Sequence, residues 1–394
     1  MEAVLASVKT DLMNYDIAAA VERIQRYSKE PNDIPLKIAI TGESKSGKST
    51  FVNALRGIKS KDEGAAPTSM TQTTMEVTPY PHPNYPNVTL WDLPGIGTSK
   101  FPADKYLKLV GFEKFDFFII ISADRFREND VKLAKEIKKM KKKFYFVRSK
   151  IDNNIRDEER KKDFSKEGIL KKIRDDSVQG LQKEDFESPQ VFLVSSFEPH
   201  MYEFSKLQQT LESELPEHKS DALLRAMPNI NQEIINKKKE AFQSRIKYWA
   251  TLSAAVVAVP VPELSANVDV SMMVSVVTDY VTGFGLDKQS LEKLAASSGV
   301  SYDDLCAVMK SELAKIPAEF FIKKFMSVEV KAALMEAEKV SGKIFIFAIA
   351  ASMGFFSFTT YFTLRDFLNQ IADDAQRVFN RALDFFLNKY RIIH

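Results

Sequence analysis

Cysteine is almost missing from this sequence: Cys306 stands alone among 394 residues. One thiol excludes an internal disulfide framework and a cysteine-rich zinc site, and it fits a reducing compartment. Histidine is nearly as scarce, and His82, His200, His218 and His394 are scattered with no ligand spacing. Charge of one sign is not in excess either. Lys plus Arg total 56 against 53 acidic residues, a net charge of +3 that gives no ground for a nucleic-acid partner. The N-terminal stretch lacks the continuous apolar region of a secretory signal. Glu2 stands where N-myristoylation needs glycine, and Arg391-Ile392-Ile393-His394 carries no prenylatable cysteine. The expectation is a cytoplasmic protein without a lipid anchor at either end.

What is present is enough for two or three domains with buried cores, with 44% of residues hydrophobic and 28% charged. Residues 2 to about 29 read as one amphipathic helix, with Val4, Val8, Leu12, Ala18, Val21 and Ile24 on one face. Pro31-Asn32-Asp33-Ile34-Pro35 breaks it. Short apolar runs then alternate with helical stretches. The candidate strands are residues 36–40, 88–93, 115–122, 143–149 and 191–196. Continuous apolar strands suit a sheet buried on both faces, and their spacing leaves room for crossover helices, so this region is α/β. After Pro216 long helical patterns take over. The sequence therefore divides into an N-terminal helical segment (1–34), an α/β domain (35–215) and a C-terminal helical domain (216–394), the two outer parts forming one helical body. The lysine-rich stretch 131–144 reads as a solvated helix face before a buried strand.

The first strand runs into Gly42-Glu43-Ser44-Lys45-Ser46-Gly47-Lys48-Ser49-Thr50, which fits G-x-x-x-x-G-K-[ST] before a helix. The glycines let the backbone curl so that its N–H groups face phosphate oxygens. Lys48 supplies a cation to the β- and γ-phosphates, and the Ser49 hydroxyl suits Mg²⁺. The helix that follows aims its positive dipole end at the same anions.

Further pieces follow in order. Asp92-Leu93-Pro94-Gly95 closes a strand, where the carboxylate can hold Mg²⁺ through water and the Gly95 N–H can bond a γ-phosphate. Ser149-Lys150-Ile151-Asp152 resembles the guanine-reading pattern [NT]-K-x-D. There the aspartate accepts from guanine N1 and N2 while the lysine stem covers the base. Adenine lacks that donor pair, so Asp152 argues for GTP and GDP over ATP. Ser149 departs from Asn or Thr but retains a hydroxyl. Ser195-Ser196 ends a strand where a loop would back the base. Between Gly64 and Tyr80 the candidates for a switch hydroxyl on Mg²⁺ are Thr68, Thr71, Thr73 and Thr74, with Thr68 favoured.

These residues resemble the immunity-related GTPases, the interferon-inducible p47-type family. The likeness rests on GESKSGKST, on residues 63–97, on FDFFIIIS, on KKFYFVRSKID, and on the flanking LPEHKSDALLRAMPNI and IADDAQRVFNRAL. PYPHPNYPNVTLWDLPG and FGLDKQSLEKLA are similar to its interferon-inducible GTPase 5-like branch. Lys48 is similar to the members with a lysine-type loop. The resemblance implies a Ras-like domain on a helical domain built from both ends of the chain. It implies a dynamin-like GTPase that binds GTP and GDP, self-associates through its GTPase domain and acts at intracellular or pathogen-containing membranes. Thr68 looks like the family's switch threonine.

One position departs from small GTPases. The glutamine that orients the attacking water is replaced by Ile96, which cannot hydrogen-bond, so hydrolysis within one chain should be slow. Glu43, Lys45, Arg56 and Gln72 are candidates to contribute polar groups, in one chain or across two. A nucleotide-gated scaffold with negligible hydrolysis is the alternative. Residues 344–364 form an uncharged run of membrane-span length. Its serines and threonines favour a buried core helix over a membrane-contacting or spanning one.

Overall fold

The computed structural model describes residues 2–391 apart from 15, 17–18, 21, 24–25, 27–34, 69–73, 75, 99, 103–104, 125–126, 160–163, 258–261 and 312–344. The chain divides into two compact units, residues 34–231 and residues 1–33 with 232–394.

The first helix, α1 (Glu2–Met13), is shorter than its periodicity predicts. Asp16 accepts the Ala19 N–H on its carboxylate at 3.0 Å. Its side chain thus competes with the helical backbone and caps a new turn instead of continuing the old one.

The α/β unit is a six-stranded sheet in the order β2-β3-β1-β4-β5-β6. In chain order its elements are β1 (Leu36–Thr41), α2 (Lys48–Leu55), β2 (Thr78–Pro81), β3 (Val88–Asp92), α3 (Tyr106–Val110) and β4 (Phe117–Ser122). They continue with α4 (Glu128–Lys139), β5 (Lys143–Arg148), α5 (Ile151–Glu158), α6 (Lys166–Gln182), β6 (Val191–Leu193), α7 (Phe204–Glu214) and α8 (Glu217–Ala226). Five strands are parallel and fall on the five predicted runs. The sixth, β2, pairs antiparallel with β3 at the edge. Its sequence TPYP does not read as a strand, because proline cannot donate to a central ladder and is tolerated only at an edge. Every residue of β4 is buried, as its unbroken apolar run requires. On α4, Leu133, Ala134 and Ile137 are buried while Lys132 and Lys135 pair with Glu128 and Glu184, so the basic stretch is a solvated face.

The predicted boundary at 215/216 is corrected. α8 packs on β1 and β3 and buries Ala222, Leu223 and Leu224, which places residues 216–231 with the sheet. Its helical period alone could not show which body it would cover.

The helical unit contains α1, α9 (Gln232–Val257), α10 (Pro262–Gly283), α11 (Lys288–Ser298), α12 (Tyr302–Ala307) and α13 (Phe345–Arg391). Asp287 caps α11 through the Ser290 N–H at 3.0 Å, and Ser301 caps α12 through the Asp304 N–H at 3.0 Å. Val8 and Ala20 from the N-terminal segment join Phe242, Trp249, Tyr280, Leu364 and Ile371 in one core, so both chain ends build it. The helix expected over 344–364 forms from Phe345, and Thr360 and Leu364 are buried in it. The side chains of 344–359 lie outside the described residues. Among the described residues no helix is long and apolar enough to cross a membrane.

Candidate nucleotide site

The site gathers at the C-terminal edge of the parallel strands, the usual place for ligands on such sheets. The loop from Gly42 to Gly47 leaves β1 and enters α2, with Thr50 in that helix's first turn. Gly42 has φ 137°, and a Cβ there would lie 2.2 Å from the Ile121 carbonyl oxygen. No other residue fits this crossing beneath β4. A Cβ on Gly95 would lie 2.7 Å from the Ser44 nitrogen, so the D-x-x-G glycine is required by its contact with the phosphate loop.

Lys48 is only 6% exposed. Its Nζ donates to the Glu43 carbonyl at 2.8 Å and the Gly42 carbonyl at 3.3 Å. Burial lowers its pKa to about 8, with Asp92 and Glu43 opposing that shift. Below pH 8 the loop therefore holds a poorly solvated cation, which phosphate oxygens would satisfy. Nucleotide binding should raise this pKa and so take up protons near pH 8. Affinity for GDP should fall between pH 8 and pH 9, by at most about tenfold for a single proton. Calorimetry in two buffers of different ionisation enthalpy measures the uptake; zero uptake at pH 8 would contradict it.

The Ser49 hydroxyl donates to Asp92 Oδ2 at 2.5 Å, and Thr74 Oγ1 donates to the same oxygen at 3.0 Å. Burial pushes the Asp92 carboxyl up, while Ser49, Lys48 and Thr74 pull it back down. Its Oδ1 is buried with no hydrogen bond. Two hydroxyls and an under-satisfied carboxylate are hard oxygen donors and fit Mg²⁺. The structure brings Thr74, not the favoured Thr68, to this place; Thr71 and Thr73 lie outside the described residues. Asn53 binds both backbone groups of Ala66, at 2.7 and 2.9 Å, and Thr68 two residues on remains exposed.

The D-x-x-G turn is held from below. Buried Tyr106 donates to the Pro94 carbonyl at 2.7 Å and lies 2.9 Å from Thr41 Oγ1. Ile96 is 3% exposed and packs in the core that holds Leu93 and Tyr106, with its N–H on the Gly42 carbonyl at 3.3 Å. Its side chain is thus committed to the core.

Ser149 substitutes well for the longer side chain. Its hydroxyl donates to the Ser46 carbonyl at 2.6 Å, and its N–H to the Ser122 carbonyl at 2.8 Å, tying the base loop to the phosphate loop and β4. Lys150 takes a left-handed backbone, φ 57°, and its Nζ donates to the Lys45 carbonyl at 2.8 Å. Asp152 lies in the first turn of α5 and is 8% exposed. Ser195 is buried, and its hydroxyl accepts the Glu198 N–H at 3.1 Å; Ser196 is half-buried beside it.

Sequence reasoning missed two partners of Glu43. Arg127 donates to its Oε2 at 2.7 Å and Asn129 to its Oε1 at 2.9 Å. Nothing in a residue pattern shows that the start of α4 folds back onto the phosphate loop. Arg56, a candidate for the missing polar group, is instead committed to the Pro81 and Gly64 carbonyls at 3.0 and 2.9 Å. Gln72 lies outside the described residues.

A phosphate-loop motif, a D-x-x-G turn and an S-K-x-D loop at the ends of the parallel strands of one mixed sheet define a P-loop GTPase. The Interferon-inducible GTPase family profile matches residues 1–382. Interferon-inducible GTPase 5 of Rattus norvegicus is 38% identical over 382 residues, 96% of this chain and 82% of the rat protein. Its Bos taurus counterpart is 37% identical over the same shares. Interferon-gamma-inducible GTPase 10 of Mus musculus is 36% identical over 94% of this chain and 87% of the mouse protein. This chain belongs to the interferon-inducible GTPase family.

Proposed function

We propose that this GTPase hydrolyses GTP to GDP and phosphate slowly as a single chain and faster when copies associate through their GTPase domains. The observation that carries the reading is Ile96. The position that holds a water-orienting amide in small GTPases is filled by a side chain buried in the core, so the missing polar group must come from elsewhere. Lys48 would hold the β- and γ-phosphates, the Gly95 N–H the γ-phosphate, and Asp152 the guanine edge. Ser49 and Asp92 would hold Mg²⁺, which neutralises charge on the phosphates as the bond breaks. The switch role of Thr68 belongs to this reading: it requires the segment clamped by Asn53 to bring Thr68 in where Thr74 now bonds Asp92. Action at intracellular or pathogen-containing membranes in cell-autonomous immunity, by peripheral contact, belongs to the same reading and rests on the resemblance alone.

GTP turnover per molecule, measured as protein concentration rises with a sizing run alongside, tests this. The expected result is a rate that climbs at least tenfold as GTP-dependent oligomers form. A flat, near-zero rate with tight GDP binding would leave a nucleotide-gated scaffold.

A further inference from the structure

The D-x-x-G turn carries two consecutive peptide units that are held in different ways. The Gly95–Ile96 unit is fixed at both ends: Thr98 Oγ1 donates to the Gly95 carbonyl at 3.1 Å, and the Ile96 N–H donates to the Gly42 carbonyl at 3.3 Å. The Pro94–Gly95 unit is held among the described residues at one end alone, where the Tyr106 hydroxyl donates to the Pro94 carbonyl at 2.7 Å. Gly95 itself lies against the phosphate loop, since a Cβ there would come within 2.7 Å of the Ser44 nitrogen. A peptide unit is planar, with its C=O and N–H pointing in opposite directions. Whatever fixes the Pro94 carbonyl therefore aims the Gly95 N–H. Glycine offers no side chain to hold the plane and leaves it free to turn if that anchor is lost. The anchor is firmly placed. Tyr106 is fully buried, and its ring meets Phe101 and Phe112 edge-on, with centroids 6.3 and 5.9 Å away. The phenol has one proton, and the Pro94 carbonyl takes it. Thr41, also fully buried at the end of β1, then donates its own proton to the Tyr106 oxygen across 2.9 Å. Burial pushes the Tyr106 phenol up, so its proton stays in place at neutral pH. The result is a chain of dipoles from Thr41 through Tyr106 to the Pro94–Gly95 peptide, in which each bond polarises the next.

We infer that Tyr106 is a positioning residue for the γ-phosphate: by fixing the Pro94 carbonyl, its hydroxyl aims and polarises the Gly95 N–H. The inference rests on the reading of that N–H as the γ-phosphate contact. GDP has no γ-phosphate, so Tyr106 acts on the affinity for GTP and leaves that for GDP unchanged. It works through one peptide plane and needs no contact with the nucleotide. A role in folding alone would look different, because lost stability or a distorted phosphate loop weakens both nucleotides together.

The test is competition of GDP and a non-hydrolysable GTP analogue against a fluorescent nucleotide, with Mg²⁺ and at a protein concentration where sizing shows monomer. Tyr106→Phe keeps the ring packing. It should weaken the analogue by about tenfold while GDP stays within about twofold of wild type. Thr41→Val removes the donor behind the phenol and should shift the analogue-to-GDP ratio the same way, by about threefold. Hydrogen exchange of residues 93–98 in the wild type reports the Gly95 contact itself, and the analogue should slow it relative to GDP. Equal exchange in both states would sink the γ-phosphate reading of Gly95 and this proposal with it. Slowed exchange, together with a Tyr106→Phe protein that keeps the wild-type ratio within about twofold or loses both nucleotides equally, would overturn the role of Tyr106 alone. Should Tyr106→Phe not fold, Thr41→Val decides, and a ratio equal to that of wild type would overturn it.

Discussion

Replacing Lys48 with Met is expected to reduce GTP turnover by at least ~10³-fold while leaving the ligand-free protein as stable or more so. Phosphoryl transfer draws almost all its acceleration from positioning and charge neutralisation, and the loop's other lysine, Lys45, is exposed, so no buried cation replaces Lys48. Stability should move the other way. Burial holds the Lys48 ammonium below its ordinary pKa, at about 8, so the folded protein carries a charge that water would solvate better. Between pH 8 and the unfolded value of 10.5 the unfolded chain binds the extra proton, and stability rises with pH through that window. At pH 7 the cost is on the order of 3 kcal/mol, which Met removes, raising the melting temperature by a few degrees. The two carbonyls it leaves keep other donors, the Ile96 N–H on Gly42 and the Ser46 N–H on Glu43. Turnover within tenfold of wild type, or a melting temperature that falls sharply, would contradict this account.

Asp152→Asn should weaken GDP binding by about 10²–10³-fold and improve binding of xanthosine diphosphate. In the proposed role the carboxylate would accept from guanine N1 and N2, two charge-assisted hydrogen bonds worth about 1.5–3 kcal/mol each. An asparagine side chain keeps one acceptor and adds a donor, which suits xanthine, where a carbonyl replaces the 2-amino group. Competition of GDP and xanthosine diphosphate against a fluorescent nucleotide measures the exchange. Equal loss of both ligands would mean that the substitution disturbs the loop and that Asp152 does not read the base edge.

The parallel strands were legible because a doubly covered strand must be apolar along its whole length, as FFIIIS is in β4. The phosphate loop was legible because its chemistry is local: Gly42, Gly47, Lys48 and Ser49 act within one turn of chain. Elements whose character depends on a distant neighbour were not legible. β2 is a strand because β3 offers an edge. α1 ends early because Asp16 finds a backbone N–H, and α8 joins the sheet because β1 and β3 lack cover there. Thr74 could not be told from Thr68 by type, since both carry the same hydroxyl; the Asn53 clamp on Ala66 separates them.

By itself, then, the sequence determined the α/β class of residues 36–196 and the P-loop GTPase motifs at residues 42–50, 92–95 and 149–152. Each follows from residue types acting within a few positions of one another. The tertiary structure decided what required residues far apart in the chain to meet. It decided that Ser149 anchors the base loop on Ser46 and that Arg127 and Asn129 engage Glu43. It also decided that Ile96 is spent on the core. Hydrogen bonds and burial act through space, so these pairings carry no signature along the chain.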